Sequence, residues 1–180
     1  VKLDPACPGG AYCGIISLEV KMEGDFFVSV IEKVQSHLDQ YGLGLKIIEL
    51  EDSTSTCELA AAALGVEVGQ IAKTLVFLAD DRPVLVVASG DNKVKSGKLK
   101  RRLGASRVRM ADPETVSRVT GYPVGGVCPV ALPEKLPVLL DSTMRRFPVV
   151  YAAAGTPRSA LPVTTEQLEI ITGGEWADLV

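Results

Sequence analysis

The run Ile71–Ala79 is apolar except for Lys73 and Thr74, and a second apolar run, Val84–Ala88, follows the polar segment Asp80-Asp81-Arg82-Pro83. Two apolar runs joined by a short turn form a β-hairpin. Neither run alternates polar with apolar, as a strand with one wet face would, so both faces are covered and the pair belongs at the centre of a sheet. Covering two faces requires helices, and the flanking sequence supplies them. Phe27, Val30, Ile31, Val34, Leu38 and Tyr41 recur at spacings of three and four, with Asp25 placed to cap the helix and Gly42 or Gly44 to end it. Ser55 and Glu58 form a capping box before an alanine-rich helix ending at Gly65, and Thr164 and Gln167 form another before a C-terminal helix. Lys98–Leu103 suits a helix, and Asp112-Pro113-Glu114 opens one with proline in its first turn. Lys46–Leu50, Arg107–Met110, Val138–Leu140 and Val149–Ala153 read as further strands. Strands and helices mix throughout, with no internal repeat. The 180 residues therefore make one α/β domain, within the common range of roughly 100–200.

Residues 1–24 read as a tail, rich in glycine and proline, ahead of a domain over residues 25–180. Its short apolar stretch from Ile15 to Val20 could pair as an edge strand, and Met22 offers an alternative start. The charged-then-apolar pattern of a signal peptide is missing, and no apolar run reaches the ~20 residues that span a bilayer. The expectation is a cytoplasmic protein with reduced thiols and no membrane segment. Cys7 and Cys13 do not have a zinc spacing, and His37 is the one histidine, so no metal site and no cofactor is expected. His37 borders the first helix's apolar stripe and reads as a boundary residue.

Charge is unevenly spread. Lys93, Lys95, Lys98, Lys100, Arg101, Arg102, Arg107 and Arg109 fall in one segment without an acid, leaving eleven basic residues against twenty-two acidic ones elsewhere. This stripe either meets a phosphate backbone, with Lys98, Arg101 and Arg102 at its helical centre, or is a solvated face.

Three features could carry chemistry. Lys73 is the single charge in the first core strand, and alternation puts it on the face of Ile71, Leu75 and Phe77. A buried unpaired ammonium is expensive, so it must reach solvent, find an acid or face a ligand pocket. Gly125-Gly126-Val127-Cys128-Pro129 could bring backbone N–H groups close to a developing oxyanion, or be an ordinary turn. Cys128 could be a nucleophile, but no nearby base would lower its pKa, so a structural thiol is favoured. Gly90–Lys98 is not a phosphate loop: its glycines at 90 and 97 are too far apart, and Leu99 follows Lys98.

Taken in order, Ala62-Ala63-Leu64-Gly65-Val66, Gln70–Phe77, Gly90-Asp91, Ala111-Asp112-Pro113, Thr120–Pro129, Leu140-Asp141 and Ala154-Gly155 resemble the YbaK/prolyl-tRNA synthetase-associated editing domain family over roughly residues 25–175. The resemblance implies a mixed, barrel-like central sheet with surrounding helices. It implies hydrolysis of the ester joining a wrong amino acid to the tRNA 3′-terminal adenosine, with mischarged tRNA, of the tRNA(Pro) type, as substrate and a synthetase as a possible partner. Lys73 corresponds to the family's strand lysine and Gly125–Pro129 to its Gly-x-x-x-Pro loop. Asp141 and Gly155 would line the same pocket, and Asp91 would hold the turn after the second core strand. Lys73 would hold the ester or terminal phosphate, loop N–H groups of Gly125 and Gly126 would stabilise the oxyanion, and Val127, Cys128 and Pro129 would bind substrate, with Cys128 bearing on amino-acid preference. Water would attack with help from a substrate hydroxyl. Two departures bear on specificity: Ile47–Asp52 lacks the tyrosine and histidine of relatives close to the Cys-tRNA(Pro) deacylase, and Cys128 replaces a frequent serine or threonine. The competing readings are a module that binds aminoacyl-tRNA or a synthetase without hydrolysis, and a thiol enzyme built on Cys128.

Overall fold

A computed structural model describes residues 29–180, so the tail and the expected cap at Asp25 lie outside the described residues. The first helix, α1 (Val30–Asp39), starts later than expected, because Ser29 and Glu32 form a reciprocal capping box there. Val34 and Leu38 are fully buried, and His37 sits at the boundary with its ring edge-on to Tyr41.

The core hairpin is β2 (Ile71–Ala79) and β3 (Arg82–Ser89), antiparallel and in register from Ala72 opposite Ser89 to Ala79 opposite Arg82. The turn is shorter than the expected four residues. Asp80 and Asp81 both take positive φ, as a two-residue turn that matches strand twist requires. Asp80 is held there because its carboxylate accepts the N–H groups of Ser106 and Arg107, which lower its pKa.

Around this pair run β1 (Ile48–Glu49), β4 (Val108–Met110), β5 (Val138–Asp141), β6 (Val150–Ala153), β7 (Ser159–Val163) and β8 (Glu175–Ala177). The eight strands form one mixed sheet in the order β1-β7-β6-β2-β3-β5-β8, with β4 on β2 off that path. The hairpin is central, as expected, and the end strands β1 and β8 are not hydrogen-bonded to each other. Ala72, Val76, Leu85, Val87 and Leu140 pack with Val34 and Leu38 of α1 on one face. Phe77, Val86 and Leu139 pack with Leu99 of α3 (Ser96–Leu103) on the other. The remaining helices are α2 (Cys57–Leu64), α4 (Pro113–Thr120) and α5 (Thr165–Thr172). Asp112 caps α4, and the Thr164–Gln167 capping box starts α5. The cap of α2 is Thr56 rather than Ser55: its side chain accepts the Leu59 N–H, and a leucine in the third helical position cannot complete a box. Among the described residues no helix is long and apolar enough to cross a membrane.

One edge of β2 decides where a ligand can enter. It pairs fully with β3, but its other edge is divided. Parallel β6 covers Ile71 and Ala72, and antiparallel β4 covers Phe77, Leu78 and Ala79. Lys73, Thr74, Leu75 and Val76 lie between the two, opposite a break in the sheet.

Candidate active site

A cavity of about 420 Å³ fills this break. Its walls are the Lys73–Val76 stretch of β2, the start of α2 with its leading loop, the start of α4, β6 and the loop at Val124–Val127. Three loops close over it. Pro157 accepts both the backbone N–H and the hydroxyl of Thr54. A Cβ on Gly125 would stand 3.2 Å from Ser55, and one on Gly126 only 2.7 Å from the Thr156 backbone. The Gly-Gly pair therefore allows close approach between segments far apart in sequence. Tyr122 fixes the same loop from inside, its buried hydroxyl donating to the carbonyls of Val130 and Ala131 at 2.9 and 3.1 Å.

Lys73 is half-buried in the cavity wall, and its ammonium has no acidic partner among the described residues. Instead it donates to two backbone carbonyls of the turn after β3, Gly90 at 3.0 Å and Asn92. An ammonium has three N–H groups, so one remains for a ligand. The turn is itself braced. Asn92 Nδ2 donates to Thr143 Oγ1 at 2.8 Å, and Thr143 donates to the fully buried Asp141, which also accepts the Leu179 N–H at 3.3 Å. Asp91 pairs with Arg146 at 2.6 Å. Burial pushes the Asp91 pKa up, but hydrogen bonds from Arg146 and Ser89 and the guanidinium charge outweigh it and hold the carboxyl below its ordinary value. Asp91 thus holds the turn, as expected.

Of the residues singled out from sequence, Lys73, Gly125 and Val127 meet at the cavity. Several others stand behind its wall. Asp141 and Gly155 do not line it: Asp141 positions Lys73 through Thr143 and Asn92, while a Cβ on Gly155 would run into Val30 at 2.5 Å and Tyr122 at 3.1 Å. Gly126 spends its N–H on the Pro123 carbonyl at 3.0 Å, which removes it as an oxyanion donor. Cys128 and Pro129 are buried and do not line the cavity, where substrate binding was expected of them. The basic stripe is partly spent as well. Lys98 pairs with Asp178 at 2.6 Å and Arg102 with Glu175, so two of the three cations expected to meet phosphate are neutralised within the protein, while Arg101 has no ion pair among the described residues. Sequence reasoning missed Asn92, whose carbonyl accepts from Lys73, Thr143 and Arg146, which brace that turn through Asn92 and Asp91, and the cavity residues Cys57 and Thr74. The fixed spacing of Thr74 from Lys73 was the one available signal.

The cysteine facing the cavity is Cys57, whose Cβ would lie 3.1 Å from a Cβ on Gly90. Desolvation raises its pKa, and the neighbouring Lys73 charge only partly offsets that. Cys128 is fully buried and its thiol is pushed up to about 12, which leaves it protonated at neutral pH. Both upward shifts disfavour a thiolate nucleophile. Iodoacetamide at pH 8 should therefore modify Cys57 slowly and leave Cys128 intact in folded protein, and Cys128→Ala should retain deacylation. Peptide mapping that finds an alkylated or acylated Cys128 in the native fold would restore the thiol reading. Among the described residues no group of three or more His, Cys, Asp or Glu side chains comes together as a metal site would need.

Comparison with known proteins agrees with this architecture. The model of the aminoacyl-tRNA editing domain matches residues 51–170, which contain the whole cavity wall. The YwhH protein of Bacillus subtilis (strain 168) is 35% identical over 151 residues, covering 83% of this chain and 96% of YwhH. A protein of Enterococcus faecalis (strain ATCC 700802 / V583), provisionally assigned as the Cys-tRNA(Pro)/Cys-tRNA(Cys) deacylase EbsC, is 28% identical over 130 residues, covering 72% of this chain and 79% of EbsC. A crystal structure of a protein provisionally assigned as a trans-editing enzyme for prolyl-tRNA synthetase superposes with a TM-score of 0.78 at 42% identity, covering 83% of this chain and 96% of that one. With a lysine anchored beside a cavity in a broken sheet edge, and with these matches over most of its length, the chain belongs to the aminoacyl-tRNA editing domain family and is a hydrolase of aminoacyl-tRNA ester bonds.

Proposed function

We propose that this chain acts in trans, in the cytoplasm, removing a wrongly attached small amino acid from tRNA(Pro) after prolyl-tRNA synthetase has released it. The observation that carries the reading is the Lys73 ammonium, fixed by two backbone carbonyls at the wall of a largely apolar cavity. A preorganised cation of this kind stabilises charge that develops on the ester oxygens without reorganising at the moment of reaction. The remaining Lys73 N–H takes the ester carbonyl oxygen or the terminal phosphate, and the backbone at Gly125 and Val127 adds donors to the tetrahedral oxyanion. Water adds to the carbonyl carbon, the bond from that carbon to the ribose oxygen breaks, and the proton lost by water ends on that oxygen. No Asp, Glu or His is among the described residues lining the cavity, so the vicinal ribose hydroxyl of the substrate relays this proton. The exposed side chains of Met110 and Val124 at the rim suit the flat face of the terminal adenine.

The test is a panel of tRNAs charged with different amino acids, assayed for ester hydrolysis across a salt series. One or more mischarged tRNA(Pro) species should be deacylated and correctly charged Pro-tRNA(Pro) spared. Lys93 and Lys95 follow directly from the turn that holds Lys73, and neither is ion-paired among the described residues. Replacing both with Gln should lower the log–log salt slope of tRNA binding by roughly 0.7 for each single-strand phosphate that the protein no longer neutralises. Hydrolysis of aminoacyl-adenosine should barely change. Binding without hydrolysis of any ester would support the non-catalytic alternative, and an unchanged salt slope would place the tRNA elsewhere.

A further inference from the structure

Tyr151 is the one aromatic side chain among the described residues that line the cavity. It is half-buried and packs against the cluster that Ile71 makes with Ala60 and Ala61 of α2. Ile71 pairs with it across β2 and β6, and paired residues point to the same face, so Tyr151 stands on the Lys73 side of the sheet. The described tyrosines differ in what they do with their hydroxyls. Those of Tyr41 and Tyr122 donate to the carbonyls of Ile171 and Val130 at 3.1 and 2.9 Å. That of Tyr151 has no partner among the described residues, yet it is not sealed off, because Thr74 Oγ1 is the one buried side-chain polar atom there without a partner. A phenylalanine would pack against the same alanines equally well, so the hydroxyl adds nothing to the fold.

We infer that the Tyr151 hydroxyl oxygen receives the α-ammonium of the esterified amino acid, which makes Tyr151 a substrate-binding residue of this site. This rests on the editing reading. The α-carbon is bonded to the ester carbonyl carbon, so a site that holds the carbonyl oxygen at Lys73 meets the α-ammonium close by. Like charge keeps that ammonium off Lys73, and no carboxylate or imidazole lines the cavity among the described residues. A neutral oxygen is the acceptor left to it. Of the other side-chain hydroxyls in the wall, those of Thr54, Thr56 and Ser159 already have partners, that of Thr74 is sealed, and Ser55 is exposed. Tyr151 remains, and the negative face of its ring adds a favourable surface for a cation.

The test uses the 3′-alanyl and 3′-propionyl esters of adenosine, which differ in the α-ammonium alone, and compares kcat/KM for wild type and Tyr151→Phe. The α-ammonium is common to the amino acids, so alanyl serves whichever one is edited. Tyr151→Phe should lose about tenfold on the alanyl ester, as expected for one charge-assisted hydrogen bond, and nothing on the propionyl ester. Its Tm should match wild type, because the hydroxyl it removes has no partner in the protein. The corresponding non-hydrolysable 3′-amides of 3′-amino-3′-deoxyadenosine give a binding readout. Wild type should bind the alanyl amide about tenfold more tightly than the propionyl amide, and Tyr151→Phe should bind the two alike. Equal binding of both amides by wild type, an unchanged alanyl-to-propionyl ratio in the variant or an equal loss on both esters would each overturn the inference. If wild type hydrolyses no ester, the editing reading fails, while the two amides still show whether Tyr151 takes the ammonium.

Discussion

Lys73→Ala should lower kcat for deacylation by about 100-fold, the loss of ~3 kcal/mol expected when one well-aimed donor is removed from a preorganised site. The fall should appear in kcat more than in KM, because the contact strengthens as charge develops on the ester oxygens. Lys73→Met separates charge from packing, since it keeps a long apolar stem in the strand and removes all three N–H groups. It should be as inactive as the alanine variant. Lys73→Arg should fail too. The turn offers two carbonyls, Gly90 and Asn92, to a compact ammonium, and a planar guanidinium cannot take both and still present the same donor. Circular dichroism and thermal melts should show all three variants folded, because the freed carbonyls lie in a partly exposed turn that water reaches. A folded Lys73→Met enzyme with wild-type kcat would remove Lys73 from the chemistry.

The sequence made the central hairpin legible because its apolar runs are long and its turn is polar, and β2 spans the expected residues 71–79. Helix starts were readable where a cap and its partner share one local motif, as at Asp112 and Thr164. They were misplaced where a second candidate lay nearby, as with Thr56 beside Ser55 and Ser29 after Asp25. Strand β7 was hidden by Pro162, and β8 by its three-residue length, since short strands exist through their partners rather than their own pattern. Lys73 was legible as a charge in an apolar run. Its anchor was not, because Asn92 and Thr143 are 51 residues apart and meet only when β3 and β5 pair. The glycine loop was legible as a motif, but its division into a cavity-lining residue at Gly125 and a packed one at Gly126 depends on contacts with Ser55 and Thr156.

The same turn yields the second large effect, at a residue that touches no substrate. A Cβ at Gly90 would stand 2.3 Å from the Val68 carbonyl oxygen, 3.1 Å from Cys57 Cβ and 3.2 Å from Ile71 Cβ. The first of these is backbone at the start of a short 3-10 helix, Val68–Gln70, so no side-chain rotation relieves the clash. In Gly90→Ala the turn must move instead, carrying the Gly90 and Asn92 carbonyls away from the Lys73 ammonium. Overpacking of this kind costs ~1–3 kcal/mol, and each kcal/mol lowers Tm by roughly 2–4 °C in a chain of this size. A displacement near 1 Å in the group that positions a reacting atom can cost about 100-fold in rate, so deacylation should fall further than stability alone would predict. Gly97→Ala is the matched control. It lies in α3, a Cβ there meets nothing within 4 Å, and alanine should stabilise the helix by ~0.5–1 kcal/mol with activity intact. Assays at a temperature where both variants are fully folded separate the two effects of Gly90→Ala. Lowered Tm with full activity would mean the turn supports the fold but does not hold Lys73 for catalysis. Wild-type Tm and activity together would show that the segment absorbs a methyl group without moving.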